Sequence, residues 1–189
     1  MADKIRAFVA LNLPPAIIDH ASRLQSKLKA RGLRLRWVRP QSLHLTLRFL
    51  GDIPAATVSE IEIALGRASR GTEPLNLTVQ GMGAFPGIKR ARVLWIGLGG
   101  QIEALQLLYS KIEDELAGLG LPREKRAFKA HLTLARMKGR LAPGDLLAAV
   151  QELGDYEPRP FLARQLILYK SDLRPQGAIY TPMVEISLK

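Results

Sequence analysis

The chain contains no cysteine. Disulfides, thiolate nucleophiles and cysteine-ligated zinc are thereby excluded together, and the absence suits a reducing, cytoplasmic compartment. No apolar run approaches the roughly 20 residues that a membrane-spanning helix needs. The opening MADKIRAFVALNLPP has too short an apolar run and too early a proline pair for a secretory signal. Low-complexity stretches and linker-like segments are missing as well, so one domain spanning residues 1–189 is expected. Histidine is scarce, with three residues, and acids are outnumbered: 17 Asp and Glu against 28 Lys and Arg leave a net charge of +11. What remains, 47% hydrophobic and 24% charged residues, is the composition of a globular protein able to bury a core.

An excess of cations of this size favours polyanions, nucleic acid above all, through phosphate contacts and counterion release. The basic residues also cluster: Arg31, Arg34, Arg36 and Arg39; Lys89, Arg90 and Arg92; Arg123, Lys125, Arg126 and Lys129; Arg136, Lys138 and Arg140. A solvated basic surface explains charge but not its placement. Two clusters directly precede the two copies of one tetrapeptide, His-Leu-Thr-Leu, at His44–Leu47 and His131–Leu134.

Periodicity supplies the frame. RAFVALNL (6–13) reads as a strand stopped by Pro14-Pro15, and Ile17, Ala21, Leu24 and Leu28 form a helical stripe ending near Gly32. Residues 36–38 and 43–50 read as strands, Gly51-Asp52 as a turn, and Val58, Ile61, Leu65 and Ala68 as a second helix. LNLTVQ (75–80) alternates like a half-buried strand; GMGAFPG (81–87) reads as a glycine-rich loop and RVLWIGL (92–98) as a strand. A third helix carries Ile102, Leu105, Leu108, Ile112 and Leu116, and a short one covers 143–153. Strands are expected at 130–136, 162–170 and 179–188. Paired strands between helices argue for an α+β fold with mostly antiparallel sheets. One HLTL copy in each half suggests an old duplication with two similar lobes.

On a strand, alternate side chains share a face. In LHLTL the leucines form one face while His44 and Thr46 point together from the other; AHLTL repeats this with His131 and Thr133. Two such strands across a cleft would offer two imidazoles and two hydroxyls. One ring can act as base while the other acts as acid, and the hydroxyls can hold non-bridging phosphate oxygens. A single His-Leu-Thr-Leu is an unremarkable strand face. Any one histidine is followed by Leu-Thr-Leu with odds on the order of 10⁻³ at ordinary residue frequencies, so two among three histidines call for a cause. A metal site is disfavoured, since no cysteine or repeated carboxylate completes a ligand set. His20 lacks a threonine partner, lies on the first helix, and reads as a partly buried structural histidine.

These residues make the sequence similar to the two-histidine phosphoesterase superfamily, in particular its 2′-5′ RNA ligase-like branch, the bacterial and archaeal RNA 2′,3′-cyclic phosphodiesterases. The resemblance runs through RAFVALNLPP, RWVRPQSLHLTLRFLGD, RVLWIGL, FKAHLTLAR and ILYKSDLRPQGAIYTP, which is nearly the whole chain. It implies a bilobal fold in which two antiparallel sheets line a central cleft with helices packed outside. It implies His44 as general acid toward the leaving 3′ oxygen and His131 as general base toward water, leaving a 2′-phosphate. Thr46, Thr133 and Arg136 would hold the phosphate, and Phe128 would sit where an aromatic can stack on a base. Neither metal nor cofactor is expected. Reverse joining of RNA ends through a 2′-5′ bond is also implied. The segment Gly177-Ala178-Ile179-Tyr180 departs from the Gly-Pro that relatives often carry before the tyrosine. RNA ends, tRNA fragments included, are the expected partner of a monomeric protein acting away from membranes. The rivals are a phosphodiesterase for a small cyclic nucleotide or cyclic ADP-ribose phosphate, and a non-catalytic RNA-end binder.

Overall fold

The computed structural model describes residues 3–139, 142–175 and 177–189; Arg140 of the fourth basic cluster and Gln176 lie outside them. Among the described residues, nine strands and four α-helices follow one another as β1 (Lys4–Leu11), α1 (Pro15–Ala30), β2 (Leu35–Trp37), β3 (Leu45–Pro54), α2 (Val58–Ala68), β4 (Leu75–Phe85), β5 (Val93–Gly100), α3 (Ile102–Gly118), β6 (His131–Met137), α4 (Pro143–Gly154), β7 (Arg159–Ala163), β8 (Gln165–Asp172) and β9 (Ile179–Ser187). They build two antiparallel sheets of order β3-β1-β8-β9 and β2-β6-β5-β4-β7, the α+β arrangement that paired strands between helices imply. With β2 set aside, the sheets are built alike. In each, an HLTL strand (β3 or β6) lies beside the strand that opens its half of the chain (β1 or β5), followed by a strand from the other half (β8 or β4). The halves thus exchange strands, which ties the two sheets into one core.

The helices form where apolar residues recur every three or four positions. Ile17, Ala21, Leu24 and Leu28 are buried along α1, which starts at Pro15, where a missing N–H costs nothing. α1 packs against α4 and α2 against α3. The leucines of both HLTL segments, Leu45, Leu47, Leu132 and Leu134, are at most 5% exposed and join this core. Gln25 fastens α1 to the second motif: its Nε2 donates to the carbonyls of Val38 (2.8 Å) and Leu134 (2.9 Å).

Three boundaries differ from the periodicity reading. Gly51-Asp52 lies inside β3, not in a turn: Gly51 takes φ +73° at a register shift, where glycine carries no Cβ penalty. The glycine-rich 81–85 continues β4. Gly81, at φ +63°, forms a bulge between Gln80 and Met82, and a Cβ on Gly83 would stand 2.4 Å from the Trp95 ring, so that glycine makes room for the indole. The single strand expected over 162–170 is two, broken at Arg164: β7 joins β4 in one sheet and β8 joins β1 in the other. The residues on either side of the break are equally apolar, so pattern alone does not reveal the switch of sheet.

Candidate active site

Both HLTL segments carry a bulge at the same point. Opposite β1, Thr46 and Arg48 pair with Ala10 and Val9, leaving Leu47 as the extra residue. Opposite β5, Thr133 and Ala135 pair with Trp95 and Leu94, leaving Leu134 as the extra residue. An extra residue reverses the alternation beyond it. Leu47 with Arg48, and Leu134 with Ala135, are therefore consecutive buried residues. The side chain three positions past each threonine returns to the histidine face. In the second half that residue is Arg136; in the first it is Phe49.

The two imidazoles are held identically. His44 Nδ1–H donates to the Ser42 carbonyl at 2.8 Å, and His131 Nδ1–H donates to the Lys129 carbonyl at 2.6 Å. A carbonyl only accepts, so in each neutral ring the proton sits on Nδ1 and the lone pair on Nε2. Each histidine therefore offers Nε2 as its working nitrogen. Aromatic rings wall both. His44 lies against Phe8 (4.6 Å between centroids) and meets Tyr180 edge-on at 5.1 Å, with Tyr169 at 6.3 Å. His131 meets Phe85 edge-on at 4.9 Å, and Phe85 leans on Trp95 at 5.1 Å. Phe8 and Ala10 stay out of the main core cluster while Ala7, Val9 and Leu11 join it, so β1 turns its Phe8 face toward the histidines.

Strands β3 and β6 approach one another, and charge links the sites they carry. Burial, joined by the charges of Arg136 and His131, brings His44 down to about 4, against the Ser42 carbonyl that favours its charged form. His131 is lowered by burial and by Arg136, opposed by the Lys129 carbonyl. Arg136 also acts on Tyr180 of β9. One guanidinium is thus felt by both histidines and by a tyrosine of the opposite sheet. Arg136 stands directly across from Arg36 of β2. Like charges in that position oppose folding, and an anion between them would relieve the repulsion.

Of the expected site residues, His44, Thr46, His131, Thr133 and Arg136 fall on the faces just described. Phe128 is half-buried against the core and stacks on Tyr109 at 4.4 Å and 10°, so one of its faces is already covered. His20 stands apart. It packs against Tyr156 at 4.7 Å and lines a cavity of about 230 Å³ with Arg23, Lys27 and Arg159, where burial and then these cations lower its pKa. Periodicity missed the rings around the histidines, because Phe8, Phe85 and Tyr180 reach them only through sheet pairing. It also missed Arg48, which at 7% exposure carries its charge into the core beside Glu113. Among the described residues, no group of three or more His, Cys, Asp or Glu is placed to hold a metal ion.

The family model described as LigT like Phosphoesterase matches twice, over residues 11–95 and 96–180, with one HLTL in each match. The RNA 2′,3′-cyclic phosphodiesterase of Methanothermobacter thermautotrophicus is 34% identical, over 95% of this chain and 97% of its own. The protein of the same name from Aquifex aeolicus is also 34% identical, covering 97% of each. A crystal structure from Thermus thermophilus is similar with a TM-score of 0.77 at 28% identity, over 97% of this chain and 98% of its own. E. coli LigT complexed with 3′-AMP shares the fold, with a TM-score of 0.78 at 24% identity over 98% and 99%.

Proposed function

The chain belongs to the LigT-like phosphoesterase family and is a cyclic phosphodiesterase; on that premise we propose that it hydrolyses RNA 2′,3′-cyclic phosphate ends to 2′-phosphomonoesters by two-histidine acid–base catalysis. The observation that carries the mechanism is the matched pair of Nδ1–H···carbonyl bonds, which presents Nε2 from both rings. In this reading a cyclic phosphate lies between the imidazoles, its non-bridging oxygens taken by the Thr46 and Thr133 hydroxyls and by Arg136. His131 Nε2 removes a proton from water as the water attacks phosphorus. His44 Nε2–H protonates the 3′ oxygen as its bond to phosphorus breaks, and the phosphate stays on the 2′ oxygen. Arg136 stabilises the charge that builds on the phosphorane oxygens. Reverse joining through a 2′-5′ bond is the minor direction, because water far exceeds any RNA end in concentration.

An RNA ending in 2′,3′-cyclic phosphate, incubated in EDTA, should yield a 2′-phosphate end identified by mass and phosphatase mapping. A 3′-phosphate, or turnover only with added metal, would overturn the proposal. Turnover and affinity for RNA should fall steeply with salt as phosphate contacts are screened. A flat salt response would favour a small cyclic nucleotide as the substrate.

The two lowered histidines set the pH profile. Catalysis needs one neutral and one protonated ring, and kcat/KM reports the free enzyme. With both pKa values below 6.5 in the free site, the protonated partner is lost before neutrality is reached from the acid side. The kcat/KM optimum is therefore expected below pH 6.5. A bound phosphate anion favours imidazolium, so the kcat profile should be displaced to higher pH. A kcat/KM optimum on the alkaline side in steady-state assays would contradict this.

A further inference from the structure

His20 and its neighbours form a cluster that the catalytic reading leaves unused. His20, Arg23 and Lys27 follow one another at spacings of three and four, so they share one face of α1. The cavity of about 230 Å³ beside them is lined by α1 and the end of α4, with Arg159 of β7 also on its wall. It shares no residue with the catalytic faces of β3 and β6. His20 is only 8% exposed, yet its Nε2 is a buried atom with no hydrogen-bond partner among the described residues. A histidine retained for packing alone has its buried nitrogens satisfied.

The charges around the ring are unbalanced. Among the described residues, Arg23, Lys27 and Arg159 stand in no ion pair. Two acids also line the cavity. Glu152 is engaged by Arg31, which leaves Asp155 as the one unpaired carboxylate against three unpaired cations. Burial and then Arg159, Arg23 and Lys27 lower the pKa of His20, so all three cations are felt at the ring. Arg23 and Lys27 stand four apart on one helix face, an arrangement that costs stability when nothing neutralises it. Tyr156 is spent on structure: its ring packs on His20 and its hydroxyl donates to the Gly81 carbonyl at 3.1 Å. A single trapped water would satisfy Nε2 but gives no reason for three open cations around it.

We propose that the cavity between α1 and α4 is a second anion site, which takes one phosphate group. Two guanidinium forks and an ammonium are the donor set that phosphate oxygens accept, and the forks of Arg23 and Arg159 reach the cavity from separate elements. His20, once protonated, adds Nε2–H as a further donor. A bound anion favours imidazolium, so phosphate binding and protonation of His20 reinforce each other. The group is either free phosphate or a phosphate of RNA held away from the reacting end.

The test follows the three imidazoles of the full chain by NMR titration, with the His20 signal identified by its loss in His20→Asn. At constant ionic strength, inorganic phosphate should raise the His20 midpoint by about one pH unit over chloride or acetate. The shift should vanish in Arg23→Gln/Lys27→Gln/Arg159→Gln, whose three positions are exposed and spare the core; thermal melts check the fold. A second arm identifies the source through the Kd of an RNA oligonucleotide. The comparison is with Arg67→Gln/Arg70→Gln/Lys111→Gln, which loses equal charge around α2 and α3. A Kd raised more by the cavity variant assigns the site to a phosphate of RNA, and equal Kd values assign it to free phosphate. A His20 midpoint that phosphate leaves unmoved, moves no more than acetate does, or moves equally in the cavity variant overturns the site. Neither arm needs turnover, so the site and the cyclic-phosphate reading can fail separately.

Discussion

Replacing either His44 or His131 by alanine is expected to lower kcat/KM on a cyclic phosphate end by about 10²–10⁴-fold, the usual worth of one positioned acid or base. The double replacement should be hardly worse than the poorer single one, because the two rings act as a unit on one displacement at phosphorus. The residual rate reveals which ring does what. If His44 is the acid, the His44→Ala enzyme retains a base that must be neutral, so its rate should rise with pH and level off. The His131→Ala enzyme retains an acid that must be protonated, so its rate should fall with pH. Opposite slopes in the reverse sense would exchange the roles.

That measurement matters because the electrostatics of the free site oppose the assignment. His44, the deeper ring, is pushed to about 4 by burial, with Arg136 and His131 adding to the effect, so a first proton goes more readily to His131. Protonating His44 for acid catalysis therefore depends on the substrate. The phosphate anion must stabilise imidazolium at His44 more than at His131, and the pair titrates as a coupled unit. Full activity in either alanine variant would remove the two-histidine mechanism altogether.

The chemistry was more legible in the sequence than the architecture that makes it work. His44 with Thr46 and His131 with Thr133 are two apart, and a strand's period of two places each pair on one face. Arg136 obeys no such rule. Strict alternation would put Ala135 on the histidine face and send Arg136 into the core. The Leu134 bulge inverts that order, and a bulge residue that is itself an ordinary leucine leaves no trace in the pattern. The same inversion hides Phe49 in the first half. Glycine misled in the opposite direction. Gly51, Gly81 and Gly83 read as turn or loop, yet they sit within β3 and β4, where they serve a register shift, a bulge and the Trp95 ring. The sheet switch at Arg164 depends on which strand offers a free edge, a property of the assembled fold.

The second large effect concerns Arg48, the residue displaced into the core by the first bulge. Its Nε lies 2.7 Å from Glu113 Oε1, with side chains 8% and 6% exposed, although the N–H direction misses the oxygen and neither atom has a well-aligned hydrogen bond there. The guanidinium also donates to the Pro122 carbonyl and lies 3.8 Å from Glu124, and Glu113 Oε2 accepts from the Glu124 N–H at 2.8 Å. A charge pair this deep adds little net stability, because desolvation offsets its attraction, but removing one partner strands the other. Arg48→Met and Glu113→Leu are each expected to destabilise the protein by about 3–5 kcal/mol, read as a drop in the midpoint of urea or thermal unfolding. The double replacement should recover most of that loss, since it leaves no uncompensated buried charge. Activity should not recover with it. Pro122 and Glu124 belong to the segment that leads from α3 into Lys129, whose carbonyl orients His131. With that segment untethered the imidazole loses its aim, and a misplacement of about 1 Å can cost up to 10²-fold in rate. A double variant that is stable and fully active would reduce the pair to a structural ornament of β3; one that is stable and slow would make it the brace through which the first motif's strand positions the second motif's histidine.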